Sequence, residues 1–203
     1  MSKLLESKFF RYLALLIATT LLASIFPQVA TAKNLLIWDK LQGTNPKGYV
    51  LLMRHALAPG IGDPENFQVG DCKTQRNLSD EGRQDARDVG DWLERQDVKI
   101  RSIESSRWCR AKETAELLDI GSVKLNRHLD SLFQESDLVN HKQTIEIKKR
   151  IVSHRSNRGL LVFVGHLVNI TALTGVSLGS GEGVLVRANT KGEIKVKGYS
   201  PSP

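Results

Sequence analysis

Two continuous apolar runs, Tyr49–Met53 and Leu160–Val164, constrain the fold of this chain more than any other feature. Uninterrupted runs of this length are typical of strands that are buried on both faces, as the inner strands of a parallel sheet are. Arg54 and His55 follow the first run directly, and His166 lies just beyond the second. Because open α/β sheets bind ligands at the carboxyl ends of their strands, the pattern predicts a functional site at this edge.

The N-terminal segment is arranged like a secretory signal peptide. Lys3, Lys8 and Arg11 form a basic segment, Tyr12–Phe26 is almost entirely apolar, and Ala30–Ala32 is a small-x-small cleavage sequence. The apolar run is shorter than the roughly 20 residues that span a bilayer, which argues against the alternative of an uncleaved membrane anchor. We therefore expect cleavage of residues 1–32, export to the periplasm or the medium, and no stable membrane insertion afterwards.

The remaining segment, 33–203, has the length of a single domain with a substantial core. The chain carries a net charge of +7, of which residues 1–32 supply only a small part. A basic exported protein can bind nucleic acid, an anionic membrane or phosphorylated substrates, or can simply have a solvated basic surface. Aromatic residues make up only 6% and do not interleave with basic runs, so we expect no nucleic-acid partner. The oligomeric state stays open.

The two cysteines, Cys72 and Cys109, both lie in the mature segment. Export to an oxidising compartment favours a disulfide between them, and two buried free thiols are the alternative. Neither cysteine belongs to a C-x-x-C pair, so a zinc site is not expected.

The rest of the pattern predicts one three-layer α/β/α domain with a mostly parallel sheet. Ser79 has the chemistry of a helix N-cap, and the aperiodic segment Ala58–Gln75 is long enough to be a functional loop over the site. The other expected elements, in chain order, are helix Lys33–Leu41, strand Ile100–Ser105, helix Arg110–Leu118, strand Val123–Leu125, helices Thr144–His154 and Asn169–Leu173, and a hairpin of Val184–Val186 with Ile194–Val196.

Four side chains at the predicted strand ends suit a phosphoryl group. Arg54 offers a guanidinium fork, and His55 is a nucleophile if its other ring nitrogen is fixed by a hydrogen bond. Arg110 follows a strand at the start of a helix, where anions bind, and His166 follows Gly165. Each residue alone is commonly a surface or structural one, but together they predict a phosphate site. The remaining histidines lack such a placement and are interpreted as structural or surface residues: His128, His141 and His154.

Four segments in order resemble the histidine phosphatase superfamily, which has the phosphoglycerate mutase-like fold. Leu52–Ala56 resembles its Arg-His-Gly loop, and Asn77–Ala86 is similar to the stretch before its first helix. Ser106–Ala115 resembles its Ser-x-x-x-Arg-Ala-x-x-Thr-Ala block, and Val164–His166 matches the segment of its second histidine. The resemblance spans nearly all of the mature segment.

The resemblance implies a mechanism. His55 would attack phosphorus to give a phosphohistidine, while Arg54, Arg110 and His166 hold the phosphoryl oxygens. Water would then hydrolyse the intermediate, and neither a metal nor another cofactor is required. Arg107 could line the entrance of the site, although no family position strongly supports this role.

Two positions depart from the family pattern. Ala56 stands where the family has glycine, which implies either a negative φ or a strained loop. Ser131 stands where many relatives have a glutamate that protonates the leaving group, so Glu135 and Glu182 become the candidate general acids. Some small members of the family lack this acid and act on phosphohistidine or other good leaving groups.

Three functions follow from these residues. The first is an exported phosphatase for phosphate monoesters on a small molecule or an envelope glycan, since an exported member of the family acts on a phosphorylated lipopolysaccharide sugar. A phosphomutase is disfavoured because export removes the protein from glycolytic intermediates. The third is a non-catalytic binder of anionic envelope ligands, which conflicts with the presence of all four site residues, Arg54, His55, Arg110 and His166.

Overall fold

The computed structural model describes residues 37–200. The chain divides into two compact units, Met1–Ile37 and Trp38–Pro203, and the account below concerns the second. The predicted signal peptide and its cleavage site lie outside the described residues, as does the start of the expected helix Lys33–Leu41. Residues 37–41 are helical (α1). Within 37–200, no helix is both long enough and apolar enough to cross a membrane.

One mixed sheet of six strands forms the centre of the described part of the chain. Its order is β3-β2-β4-β1-β5-β6; the first four strands run parallel, and β5 and β6 are antiparallel to their neighbours. The predicted fold class and the terminal hairpin are therefore confirmed. The strands are β1 Tyr49–Arg54, β2 Ile100–Ser105, β3 Val123–Leu125, β4 Leu160–Gly165, β5 Gly183–Ala188 and β6 Ile194–Tyr199.

Helices cover the sheet, and their ends follow from local chemistry. Ser79 caps α2 by accepting a hydrogen bond from the Gly82 N–H, as its position predicts. The His141 ring caps α4, which therefore begins two residues earlier than expected. Gly175, in the left-handed conformation, ends α5. The helices are α2 Asp80–Arg95, α3 Cys109–Leu117, α4 Lys142–His154 and α5 Leu167–Thr174, with 3₁₀ turns at Cys72–Thr74 and Arg127–Leu129.

The core lies on both faces of the sheet. Val50 and Leu52 of β1 pack in an apolar cluster with residues of α4 and α5, including Ile147 and Ile170. Since side chains alternate along a strand, the intervening β1 residues point to the opposite face, where they are also buried. All six residues of β4 are buried. This double burial explains why the two central strands appear in the sequence as uninterrupted apolar runs.

The register of the three neighbouring parallel strands sets the position of the site. Arg54 at the end of β1 lies opposite Gly165 at the end of β4, and Ser105 at the end of β2 lies opposite Val164. The His55 N–H donates to the Gly165 carbonyl at 2.9 Å. The residues that follow β1, β2 and β4 are therefore neighbours at the carboxyl edge of the sheet.

Candidate active site

The His55 ring is buried and has a defined tautomer. Its Nδ1 lies 2.8 Å from the Ala56 carbonyl oxygen, which can only accept, so Nδ1 carries the hydrogen and Nε2 keeps its lone pair. The pKa of His55 is lowered to about 3, with burial as the largest cause. The hydrogen bond to Ala56 raises this pKa, whereas the charges of three arginines lower it further: Arg110, Arg54 and Arg76. The ring is therefore neutral at neutral pH, and its unprotonated nitrogen, Nε2, has the lone pair that a nucleophile needs.

Ala56 does not require a strained backbone. The described non-glycine residues with positive φ are Asp97, Asp119 and Asp137, so the first of the two expectations for Ala56 holds. Its N–H donates to the Thr114 hydroxyl at 3.0 Å. An alanine therefore fits where the family pattern has glycine.

Arg54 lies beside His55 and retains a free donor. One guanidinium nitrogen, Nη1, donates to the Leu178 carbonyl at 2.9 Å, whereas the buried Nε has no hydrogen-bond partner among residues 37–200. Burial lowers the pKa of Arg54, and the charge of Glu182 opposes that shift. A buried donor without a partner is costly, and an anion bound here would satisfy it.

His166 occupies the N-cap position of α5, and its ring lies near that of His55. The two ring centroids are 5.4 Å apart. The pKa of His166 lies well below its usual value. Burial is the largest cause, and the charges of His55 and three arginines lower the pKa further. Its Nε2 lies 3.0 Å from the Ser106 hydroxyl oxygen. An added Cβ at Gly165, which precedes His166, would lie 3.3 Å from the Leu129 carbonyl oxygen.

Arg110 lies on the first turn of α3 and is almost completely buried. Its Nε donates to His55 Nε2 at 3.3 Å. Its two terminal nitrogens donate to the two Asp63 carboxylate oxygens, at 2.6 and 3.0 Å. The structure thus brings Arg54, His55, Arg110 and His166 together as the sequence pattern predicted, and it adds Asp63.

Asp63 and Arg76 are the two site residues that sequence reasoning missed. Arg76 hydrogen-bonds the Gly62 carbonyl at 2.8 Å and also the Ala58 carbonyl, and its charge lowers the pKa of both His55 and His166. The clue to Arg76 was its place directly before the Asn77 block. Asp63 gave no signal beyond its position in the loop after His55.

The disulfide between Cys72 and Cys109 is formed, with a Sγ–Sγ distance of 2.09 Å, so the predicted pairing is confirmed. It joins the long loop to the start of α3, next to Arg110. The Cys109 N–H also donates to the Gln75 side chain at 2.9 Å. The loop is therefore fixed to the helix that carries an arginine of the site.

Arg107 lies in an ion pair. Its backbone N–H and its guanidinium both donate to the buried carboxylate of Asp130, with a shortest side-chain distance of 2.5 Å. The Arg107 side chain is 43% exposed. Arg107 therefore forms an ion pair with Asp130, in addition to any role at the mouth of the site.

The two expected general acids differ in their surroundings. The Glu135 side chain is exposed, and its backbone N–H donates to the Leu132 carbonyl in a turn. Glu182 accepts a hydrogen bond from the Gly179 N–H at 2.6 Å, and its charge acts on Arg54. Ser131 accepts a hydrogen bond from the Phe133 N–H, as a turn residue does.

The other histidines have structural contacts. His154 is fully buried, and its Nε2 lies 2.8 Å from the Gly159 carbonyl oxygen. His141 caps α4, and His128 lines a narrow apolar cavity beneath His166. Within 37–200, no three His, Cys, Asp or Glu side chains are grouped as a metal ion would require.

The fold and the site together define an α/β protein with two histidines and several arginines at one edge of its sheet. The family model of the histidine phosphatase superfamily (branch 1) matches residues 50–159. This stretch exceeds half of the chain, so the protein belongs to that superfamily and is a phosphatase enzyme. The match includes Arg54, His55 and Arg110 and ends before His166. No curated protein matches the sequence significantly.

Solved structures show the same fold at low sequence identity. The protein histidine phosphatase SixA, solved with tungstate, is 18% identical, with a TM-score of 0.54 over 75% of this chain and 96% of its own. A phosphoserine phosphatase from Entamoeba histolytica, in complex with phosphoserine, is 14% identical, with a TM-score of 0.53 over 75% and 96%. The α-ribazole phosphatase from Shigella flexneri is 14% identical, with a TM-score of 0.54 over 75% and 96%.

Proposed function

We propose that this chain is an exported phosphatase that hydrolyses phosphate monoesters through a phosphohistidine on His55, without a metal ion. The tautomer of His55 carries the proposal. Because Nδ1 gives its hydrogen to the Ala56 carbonyl, Nε2 is an unprotonated nucleophile, and the lowered pKa of about 3 keeps it so at neutral pH.

The reaction would take two displacements at phosphorus. In the first, His55 Nε2 attacks, the bond from phosphorus to the ester oxygen breaks, and the alcohol leaves. Arg54, Arg110 and His166 hold the non-bridging oxygens and stabilise their charge. In the second, water attacks phosphorus and the P–N bond breaks, which releases phosphate and restores the neutral ring. Because Ser131 stands where relatives have the acid, Glu135 and Glu182 are the candidates that the sequence offers for protonating the leaving oxygen.

The compartment and the substrate class are part of the proposal. The signal-like residues 1–32 and the disulfide, a bond that persists in oxidising compartments, both support export to the periplasm or the medium. A phosphorylated small molecule or envelope glycan is the substrate that suits this location and the basic chain. N-terminal sequencing of the exported protein tests the cleavage, with Lys33 as the expected first residue.

Phosphate release from p-nitrophenyl phosphate tests the chemistry. Segment 33–203 would be assayed with EDTA from about pH 4 to about pH 8, beside His55→Ala and a control, His141→Gln, that removes a histidine from the α4 cap. We expect the wild type and His141→Gln to release phosphate and His55→Ala to release none. Rapid quenching of the wild type should trap an acid-labile phosphoenzyme. Loss of release in EDTA would refute metal independence.

The same assay separates the phosphatase from the binder. If neither the wild type nor His55→Ala releases phosphate from any ester, yet both bind inorganic phosphate, the chain is a non-catalytic binder of anions. Release of phosphate from a phosphorylated glycan in preference to phosphoserine would support an envelope substrate, and the reverse preference would contradict it.

A further inference from the structure

The fork formed by the two terminal nitrogens of Arg110 is already occupied by a carboxylate. The Arg110 Nε donates to His55, and both terminal nitrogens donate to Asp63, at 2.6 and 3.0 Å. The Arg110 side chain is only 3% exposed, so no further face of it is open to an anion. A phosphoryl group that reaches His55 and binds this fork of terminal nitrogens in the bidentate manner must therefore take the place of the Asp63 carboxylate.

Asp63 lies outside the regular strands and helices, beside exposed residues of the loop. It lies in the loop after β1, directly after Gly62, which has a φ of +70° and no atom within 4 Å of an added Cβ. The preceding Ile61 is 90% exposed. Besides Arg110, the carboxylate is held by the Trp108 indole N–H at 3.0 Å and by the Arg76 backbone N–H at 3.5 Å. These two contacts would keep Asp63 beside the site after a phosphoryl group has displaced it from Arg110.

We propose that Asp63 is the proton donor and acceptor of the reaction, and that the incoming phosphoryl group delivers it by displacing it from Arg110. This inference rests on the proposed phosphatase function. It supplies the general acid that Ser131 does not provide and makes Asp63, in place of Glu135 or Glu182, the group that touches the leaving oxygen.

The proton balance closes over the two displacements. A phosphate monoester has a second pKa of about 6, so a substrate monoanion brings a proton that passes to the displaced Asp63 carboxylate. When His55 Nε2 bonds to phosphorus and the ester bond breaks, Asp63 returns this proton to the leaving oxygen and the alcohol departs. The Asp63 carboxylate then takes a proton from the attacking water as the P–N bond breaks, and it passes this proton to the departing phosphate when it returns to Arg110 as a carboxylate.

Electrostatics favour this change of role. In the free protein, desolvation raises the pKa of Asp63, but the hydrogen bonds from Arg110 and Trp108 outweigh it and hold the carboxyl ionised. Displacement removes the Arg110 bonds and brings a phosphate charge close to the carboxylate. Both changes favour the protonated form, which is the form that a proton donor needs.

Leaving-group dependence tests the inference. The ratio of kcat/KM for p-nitrophenyl phosphate to that for phenyl phosphate would be compared in the wild type, Asp63→Asn, Glu135→Gln and Glu182→Gln. Glu65→Gln is the matched control, because it neutralises an exposed carboxylate in the same loop. We expect Asp63→Asn to slow the phenyl ester by roughly 10²–10⁴-fold and the nitrophenyl ester by only a few-fold.

The outcomes are distinct. An equal loss for both esters in Asp63→Asn, or a selective loss in Glu135→Gln or Glu182→Gln instead, overturns the role of Asp63 and leaves the phosphatase function standing. A wild type that releases phosphate from neither aryl ester, from phosphoserine nor from a phosphorylated glycan refutes both proposals.

Binding of tungstate, an inert oxyanion, gives a readout that does not depend on turnover. Because Asp63→Ala removes the carboxylate that an oxyanion must displace, calorimetry should show at least about tenfold tighter binding than in the wild type or Glu65→Gln. Equal affinity in all three proteins would show that the oxyanion does not displace Asp63, and would overturn the inference.

Discussion

The hydroxyl of Ser106 connects His166 to the carboxylate of Asp130. His166 Nε2 lies 3.0 Å from the hydroxyl oxygen, which in turn donates to Asp130 at 3.3 Å. All three residues are buried. Since a carboxylate can only accept, the serine hydrogen points to Asp130, and Nε2 of His166 must carry a hydrogen. The other nitrogen, Nδ1, is then the one that gains a proton when an anion binds.

Ser106→Ala should lower kcat by roughly three- to tenfold, the loss expected for one hydrogen bond of about 1 kcal/mol. Without the link to Asp130, protonated His166 is less stable in the substrate complex, so the basic limb of the kcat profile should move to lower pH. Ser105→Ala is the control, because that hydroxyl contacts only the Ser106 carbonyl among the bonds described. A lower kcat with an unmoved basic limb would reduce Ser106 to a packing role.

Arg110→Lys should lower kcat by roughly 10²–10³-fold, as removal of one oxyanion donor does in other enzymes. Lysine keeps the charge but lacks the planar fork, so it cannot bind an anion in the bidentate manner and contact His55 at once. Arg83→Lys is the control, because Arg83 pairs with Asp80 and Glu113 on the surface of α2 and α3. Steady-state kinetics of both variants check the prediction, and an Arg110→Lys enzyme with near-normal kcat would contradict it.

The sequence predicted the part of the site that regular strands position. Arg54 ends a buried strand, and His55 and His166 directly follow buried strands, so the apolar runs and the parallel register were enough to bring them together. Asp63 and Arg76 lie in a segment without periodicity. Their positions depend on hydrogen bonds to loop carbonyls and to Arg110, for which local sequence carries no signal.

The disulfide should contribute measurably to stability. In the chain-entropy model, a bridge between residues 37 apart in sequence stabilises the fold by roughly 4 kcal/mol. Replacing Cys72 and Cys109 together by serine should therefore lower the free energy of unfolding in urea by about 2–4 kcal/mol. Wild-type protein in reductant should unfold at the same urea concentration as the double variant. A loss below about 1 kcal/mol would show that the loop is held by its other contacts.

Gly82→Ala should impair both stability and activity. An added Cβ would lie 2.2 Å from the carbonyl oxygen of Leu57, in the segment directly after His55 and Ala56. Such overpacking typically costs about 1–3 kcal/mol. Gly90→Ala is a matched control, because its Cβ would lie equally close to the Leu118 carbonyl, at the far end of α3 from Arg110. The free energy of unfolding in urea should fall in both variants, whereas kcat should fall only in Gly82→Ala. Equal kcat losses would show that the contact of Gly82 with Leu57 has no special effect on the site.

The buried histidines predict how stability depends on pH. Burial is the first cause of the lowered pKa in His55, His154 and His166, and for His55 the folded value is about 3 against 6.5. Between these values the unfolded chain binds protons that the folded chain does not. Stability is therefore fully present above about pH 6.5 and falls as the pH drops, with up to about 1.4 kcal/mol per unit for each histidine.

Urea unfolding between about pH 5 and pH 7 isolates this contribution, because ordinary carboxyl groups titrate lower. The slope of the unfolding free energy against pH should be positive in the wild type and clearly smaller in a His55→Gln, His166→Gln double variant, which leaves His154 as the third such histidine. Saturating tungstate should also reduce the slope, since a bound anion favours protonation of the two site histidines in the folded state. If the slope is the same in all three samples, the histidines at this edge of the sheet are not held neutral by burial.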